Sequence, residues 1–162
     1  AAAAARSLVL RRHAAHAARM TPRPADAADR YRRYLETLTP QSLDALGDHV
    51  TADVRFKDPF NDVRGLNAMR RVFEHMFENV SDIRFTVHGM ALDGATCFMN
   101  WQFAGRLGKR EWVFDGASVI TLGTDGKVVS HIDHWDAAAA FYERLPVIGW
   151  LLARIRGRLA IR

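Results

Sequence analysis

Residues 113–136 read VFDGASVITLGTDGKVVSHIDHWD. Two runs of alternating apolar and polar residues flank Gly123-Thr124-Asp125-Gly126, the signature of a β-hairpin. In the second run Val129, His131, Asp133 and Trp135 share one face, because strand side chains alternate with period two. Trp135 marks that face as the buried one. An imidazole and a carboxylate then point into the fold. A buried carboxylate is costly unless it is paired or has a task. The pattern therefore predicts polar groups at the floor of a pocket.

Upstream of the hairpin, the apolar spacing predicts helices first and strands later. Residues 25–38 carry Tyr31, Tyr34, Leu35 and Leu38 at three- and four-residue steps, a helical pattern that Thr39-Pro40 ends. Ser42 is the expected cap of a short helix over 43–50. Residues 54–58 read as a strand stopped by Pro59, 61–65 as a turn, and 66–79 as a third amphipathic helix. Strands are expected over 83–90, 96–103, 110–122 and 127–135. Asp136 is placed to cap a helix from Ala137, and the helical segment 137–162 is interrupted by Pro146 and Gly149. This order predicts an α+β fold with helices on one face of an antiparallel sheet.

Strand parity extends the pocket. Val54, Phe56 and Asp58 share a face; so do Cys97, Met99, Trp101 and Phe103, and so do Trp112, Phe114, Gly116, Ser118 and Ile120. Turning the apolar sides toward the helices sends Asp58, Ser118, His131 and Asp133 inward. Met99, Trp101, Phe114 and Trp135 become its walls. A few polar groups in an apolar concavity are the usual makeup of a small-molecule site. Asp58, Trp101, Phe114, Ser118, Asp133 and Trp135 are expected to line one cavity between helix 25–38 and the sheet. Each residue also has a structural reading. Asp58 suits the cap of the turn before Pro59, Tyr34 suits a core tyrosine with a satisfied hydroxyl, and His131 and Asp133 suit a hydrogen-bonded pair.

The 162 residues suffice for one domain with a full core. The net charge of +5 hides a division: residues 1–23 and 144–162 each hold five Arg and no acid. The middle keeps 13 of the 23 basic residues and all 18 acidic ones, a net of −5. Such a body lacks the basic patch of a nucleic-acid binder. The lone Cys97 excludes an intramolecular disulfide and a cysteine-rich zinc site. It suits a buried thiol in a reducing compartment, and a cytoplasmic protein is the expectation. His131 and His134 face opposite sides of a strand, so no metal site is expected. Phosphate loops and nucleophile elbows are absent from the sequence.

Three segments follow. Residues 1–23 are a basic Ala/Arg-rich extension, in which 1–19 read as a transit peptide, an upstream extension or a leader added by cloning, with Met20 as a candidate start. Residues 24–143 form the domain. Residues 144–162 form a basic amphipathic helix with Ile148, Leu151, Leu152, Ile155 and Leu159 on one side. Its Trp150 and its Arg residues also suit an anionic membrane surface; docking on its own domain is the commoner arrangement and the expectation here.

FKDPF (56–60), DGKVV (125–129) and HIDHWD (131–136), within this order of elements, resemble the nuclear transport factor 2-like superfamily. Ketosteroid isomerases, SnoaL-like polyketide cyclases and limonene-epoxide hydrolases belong to it. The resemblance covers about residues 25–143. It implies a cone-shaped curved sheet packed on N-terminal helices, and a homodimer formed through the outer sheet face. The uncharged Asn100 and Gln102 on that face agree with pairing. Asp58 falls where steroid isomerases keep their general base, and Tyr34 where they keep the oxyanion-hole tyrosine. Their protonated Asp corresponds to Ser118, a weaker donor. Asp133 falls where epoxide hydrolases keep a catalytic Asp, while their Arg and second Asp correspond to Met99 and Trp101. The implied function is proton transfer by Asp58 or Asp133 beside the carbonyl of an apolar ligand, with Tyr34 and Ser118 steadying the oxyanion and no cofactor. Burial is expected to raise the pKa of the carboxylate that serves as base. The alternative is a non-catalytic binding or scaffolding module of the same fold.

Overall fold

The computed structural model describes residues 22–142 and 145–159. Residues 1–21, which hold most of the basic extension, lie outside the described residues. Helix α1 (Pro24–Glu36) begins with Pro at its first turn, where the missing N–H costs nothing. Its inner face buries Ala27, Ala28, Tyr31, Tyr34 and Leu35. A 3-10 turn (Gln41–Ala45) leads into the short helix α2 (Leu46–His49). Ser42 does not cap this segment alone. Thr39 Oγ1 accepts the Ser42 N–H at 3.1 Å while Ser42 Oγ accepts the Thr39 N–H at 2.8 Å, so the pair opens the turn together.

The strands are β1 (Val50–Lys57), β2 (Asp62–Arg64), β3 (Val80–Asp93), β4 (Thr96–Leu107), β5 (Arg110–Leu122) and β6 (Val128–Trp135). Helix α3 (Leu66–Asn79) has the expected bounds and connects β2 to β3. Strand β2 replaces part of the expected turn over 61–65. It pairs antiparallel with β1, and Arg55 grips both oxygens of Asp62 at 3.0 and 2.8 Å.

The sheet order is β2-β1-β6-β5-β4-β3. The sheet is mixed, which corrects the expectation of an antiparallel one. β1 runs parallel to β6, with Phe56 opposite His131. Pairing between strands some eighty residues apart leaves no periodic mark in either of them. The curved, unclosed sheet cups α1 and α3, an α+β architecture of the kind the resemblance implies. β3 and β4 run longer than the sequence suggests. β3 is the outer strand of the long meander, and Glu36 at the end of α1 accepts the Val87 N–H at 3.0 Å, occupying a donor on that edge.

One end of the cup is closed by small and aliphatic residues: Ala28, Leu46, Val54, Met69, Cys97, Ile120 and Val128 are fully buried. The hairpin is anchored to this end, because Arg30 reaches the Gly126 carbonyl at 2.9 Å and Lys127 the Gly47 carbonyl at 2.6 Å. Gly126 holds φ at +76°, a conformation glycine adopts without strain. Beyond β6, the Asp136 carboxylate accepts the Ala139 N–H at 3.0 Å and caps helix α4 (Ala137–Ala140).

Helix α5 (Pro146–Leu159) starts at Pro146 rather than breaking there, and runs through Gly149. Trp150, Leu151 and Ile155 are exposed on it, and Leu152 is half-buried. The expected docking of the whole Leu151–Leu152–Ile155 side on the domain is therefore not what the described side chains adopt; those of Ile148 and Leu159 lie outside the described set. Among the described residues no helix is long and apolar enough to cross a membrane.

Gly116 sits between Trp101 on β4 and Trp135 on β6. A Cβ at this position would lie 2.3 Å from the Trp101 ring. Overpacking of this kind costs about 1–3 kcal/mol. Gly116→Ala should lower the thermal midpoint accordingly, and near-ultraviolet dichroism should report a displaced indole. His49 gives a second expectation. It stacks on Tyr34 at 4.1 Å, and its Nδ1 has no hydrogen-bond partner among the described residues. Burial first, then the charge of Arg30, pushes its pKa below the ordinary 6.5. The unfolded chain then takes up a proton more readily than the folded one, so this contribution is full above pH 6.5 and declines below it. Thermal midpoints on either side of that pH should show the decline, and His49→Gln should lessen it.

Candidate functional site

The other end of the cup stays open because its strand faces carry rings that cannot interdigitate to closure. Phe103 stacks on Phe114 at 5.0 Å, Phe114 meets Trp135 at 4.4 Å, and Trp135 meets Phe60 at 5.2 Å. The result is a cavity of about 780 Å³, within the usual size of small-molecule sites. Its roof is α3, through Val72, Phe73 and Met76, with Leu35 at the end of α1 and Leu38 just after it. The roof is thus mainly α3, whereas the sequence suggested helix 25–38 alone.

Polar groups converge on the cavity floor from four elements. The Tyr31 hydroxyl on α1 lies 2.7 Å from His131 Nδ1 on β6. His131 Nε2 lies 2.7 Å from Asp133 Oδ1. Ser118 Oγ on β5 lies 2.5 Å from the same Oδ1, and Trp101 Nε1 on β4 lies 2.7 Å from Ser118 Oγ. The indole N–H only donates, so Ser118 accepts from Trp101 and gives its own proton to Asp133. Burial first, then the charge of Asp133, pushes the Tyr31 pKa well above its ordinary value, so its O–H remains available to donate. Tyr31 donates to Nδ1, Nε2 carries the ring proton, and Nε2–H donates to Asp133. Each hydrogen bond in the line then has one donor and one acceptor.

Asp133 is the end point of both arms. Its Oδ1 accepts two hydrogen bonds, while its Oδ2 has no hydrogen-bond partner among the described residues. The carboxylate lines the cavity with about 16% of its side-chain surface exposed. One oxygen is locked and the other is open to a guest. That is the arrangement expected of a positioned acid or base.

Asp58 also lines the cavity, but its carboxylate is engaged. Oδ1 accepts the Phe60 and Asn61 N–H groups at 2.7 and 2.6 Å, and Asn61 Nδ2 lies 3.0 Å from both oxygens. It holds the turn after β1, which is its structural reading. Of the six residues expected around one cavity, Asp58, Trp101, Phe114, Asp133 and Trp135 line it. Ser118 is buried behind Asp133 instead. His131 lines the cavity as well.

Two predicted site residues stand elsewhere. The Tyr34 hydroxyl donates to the Ser42 carbonyl at 3.2 Å, away from the cavity, and burial pushes its pKa up to about 12. Met99 is buried in the packed end and does not reach the cavity wall. The tyrosine that joins the polar line is Tyr31, one helical turn earlier. It shares the apolar stripe of α1 with Tyr34, so spacing did not separate them. Tyr31 and Tyr34 are both buried in the structure, and no sequence signal separates the one whose hydroxyl meets His131. His131 and His134 are split as expected, one buried and one exposed.

Solved structures resembling this chain share its fold. A nuclear transport factor 2-like protein from Burkholderia thailandensis is 14% identical at a TM-score of 0.67, with 77% of this chain and 99% of that one covered. An epoxide hydrolase from Mycobacterium tuberculosis, similar to the limonene-epoxide hydrolases, is 19% identical at a TM-score of 0.61, with 75% and 88% covered. A protein of ketosteroid isomerase-like fold from Catenulispora acidiphila, solved with trimethylamine, is 13% identical at a TM-score of 0.60, with 74% and 90% covered. At such identities the likeness carries the fold alone. No curated protein sequence matches the chain. Residues 31–131, more than half of the sequence and the whole span from Tyr31 to His131, match the SnoaL-like domain, and the chain belongs to that family.

Proposed function

We propose that the protein is a small-molecule enzyme of the cyclase or isomerase kind, in which Asp133 moves a proton beside the carbonyl of an apolar ligand. The observation that carries this reading is the asymmetric carboxylate: Oδ1 fixed by His131 and Ser118, Oδ2 unpartnered at the wall of an aromatic cavity. Oδ2 takes a proton from the carbon next to the carbonyl, and the electron pair of that C–H bond moves into the enolate. The same Oδ2–H then returns the proton to another carbon of the ligand, so the step balances within the substrate and requires no cofactor. His131 and Ser118 keep the carboxyl plane fixed through both halves, which is positioning rather than contact with the reacting atoms. The aromatic walls favour a flat or cyclic apolar ligand. Tyr34 does not serve as the oxyanion donor in this reading, because its hydroxyl is committed to the Ser42 carbonyl. Asp58 serves the turn.

A second copy of the chain is the partner proposed for the outer sheet face. Phe98, Val119 and Ile132 lie side by side across β4, β5 and β6, and Phe98 is 46% exposed. Asn100 beside them is uncharged and exposed, and Gln102 is tied to Asp115 at 3.1 Å. Three apolar residues in register at the middle of a sheet face suit an isologous dimer. Light scattering should give a dimer mass for the chain at micromolar concentration and a monomer mass for Phe98→Asp. A monomer before mutation would remove the proposal.

Two measurements test the cavity and the chemistry separately. The neutral probe N-phenyl-1-naphthylamine should gain fluorescence on binding, with energy transfer from Trp101 and Trp135. Deuterium exchange at the carbon beside the carbonyl, followed by proton magnetic resonance on a panel of cyclic ketones and enones such as decalone, should be accelerated by the protein. Asp133→Asn should keep probe binding and lose ~10²–10⁴-fold in exchange rate, the usual contribution of a positioned acid–base group. Asp58→Asn should keep most of the rate. A bound probe without exchange across the panel would support the non-catalytic module instead.

A further inference from the structure

We propose that helix α5 docks the chain on an anionic lipid surface. This interaction is independent of the proton-transfer reading; only its use in ligand delivery rests on that reading.

The first observation is what α5 leaves uncovered. Trp150, Leu151 and Ile155 are 67%, 52% and 47% exposed. A helix that docks on its own domain buries its largest apolar side chains. Here the tryptophan is the most exposed of them, although Gly149 beside it is buried. The side that carries Trp150, Leu151 and Ile155 is left uncovered. It is too short to span a bilayer: fourteen residues at helical rise reach about 21 Å, against roughly 30 Å of hydrocarbon.

The second observation is charge. Residues 144–162 hold five Arg and no acidic residue. Arg154 and Arg158 are exposed among the apolar side chains, and the Arg154 guanidinium lies 5.7 Å from the Trp150 ring centroid. Tryptophan and arginine mixed with leucine and isoleucine on one side suit the headgroup boundary. There the ring sits at the interface, the aliphatic groups dip into acyl chains, and the guanidinium groups reach phosphate and carboxylate headgroups. The domain itself carries a net charge of −5 over residues 24–143, so attraction to an anionic surface comes from the basic ends and not from the body, and the tail is the end that also exposes apolar side chains.

The third observation is position. Tyr142 lines the cavity and is 38% exposed, and three residues separate it from Pro146. Phe60, 45% exposed, stands 6.2 Å from Tyr142 at the same rim. Phe60 and Tyr142 thus present exposed aromatic surface at the cavity mouth, a few residues along the chain from α5. An apolar ligand concentrates in lipid, and docking there would bring the mouth to it.

The test is co-sedimentation of the full chain with vesicles of phosphatidylcholine and phosphatidylserine, and with phosphatidylcholine alone, at low and high salt. Binding is expected only with phosphatidylserine and should weaken at high salt. Arg154→Gln with Arg158→Gln should weaken it about thirtyfold, from roughly fivefold per basic residue at such a surface. Trp150→Ser with Leu151→Ser and Ile155→Ser should also release the protein. Both variants should keep the parent's thermal midpoint and probe binding, because the altered side chains are exposed. No sedimentation of the full chain, equal sedimentation on both vesicle types, or insensitivity to the arginine pair would each overturn the proposal. A change of oligomer mass in the triple variant would assign α5 to contact with a second copy and overturn it as well. Probe binding and deuterium exchange in solution are read separately, so failure here leaves the cavity reading standing, and the reverse.

Discussion

Four elements of this chain meet through one line of hydrogen bonds, from Tyr31 on α1 through His131 and Asp133 on β6 to Ser118 on β5 and Trp101 on β4. Each member is a polar group that burial would otherwise leave without a partner, at a cost of roughly 1–3 kcal/mol apiece. The line has a direction, since Trp101 can only donate and the buried Tyr31 keeps its proton. Both ends push hydrogen bonds toward Asp133. Helix α1 is therefore held against the sheet by a chemical as well as an apolar contact, and the carboxylate is held at a fixed angle.

The remainder of the cup divides around that line. Toward the hairpin end, small and aliphatic side chains fill the space, and Arg30 and Lys127 tie the hairpin carbonyl and the α2 carbonyl across the gap. Toward the other end, rings from β4, β5, β6 and the turn after β1 pack on one another and leave a cavity. Asp133 stands at the boundary between the packed and open halves. Asp58 stands at the rim, where its carboxylate sets the turn that places Phe60 over the mouth. Two inward carboxylates thus have different physical roles: one is consumed by backbone donors, and one is left half free.

Much of this was legible in the sequence because it follows from period. Alternation in residues 113–136 marked the inward face of β5 and β6, and it put His131 and Asp133 on the same side as Trp135. The spacing of Leu66, Met69, Val72, Phe73, Met76 and Phe77 marked α3, whose bounds agree with the expected ones. Residues that lie between strands, such as 61–65, were less legible. A three-residue strand has no room for a period, and β2 is visible only in its pairing with β1, across which Arg55 meets Asp62.

By itself the sequence determined the fold class, the inward faces of β1, β4, β5 and β6 and the presence of carboxylates on them, since these depend on side-chain alternation and on the cost of burying apolar area in water. It also determined the basic ends and acidic body, which are sums over residues. The tertiary structure alone decided the parallel pairing of β1 with β6, the choice of Tyr31 over Tyr34, the retreat of Ser118 behind Asp133 and the exposure of Trp150. The reason is that these depend on which distant groups come within about 3 Å of one another. Two tyrosines three residues apart on one helical stripe are equivalent in pattern; only the position of the His131 ring, a hundred residues away in the chain, distinguishes them.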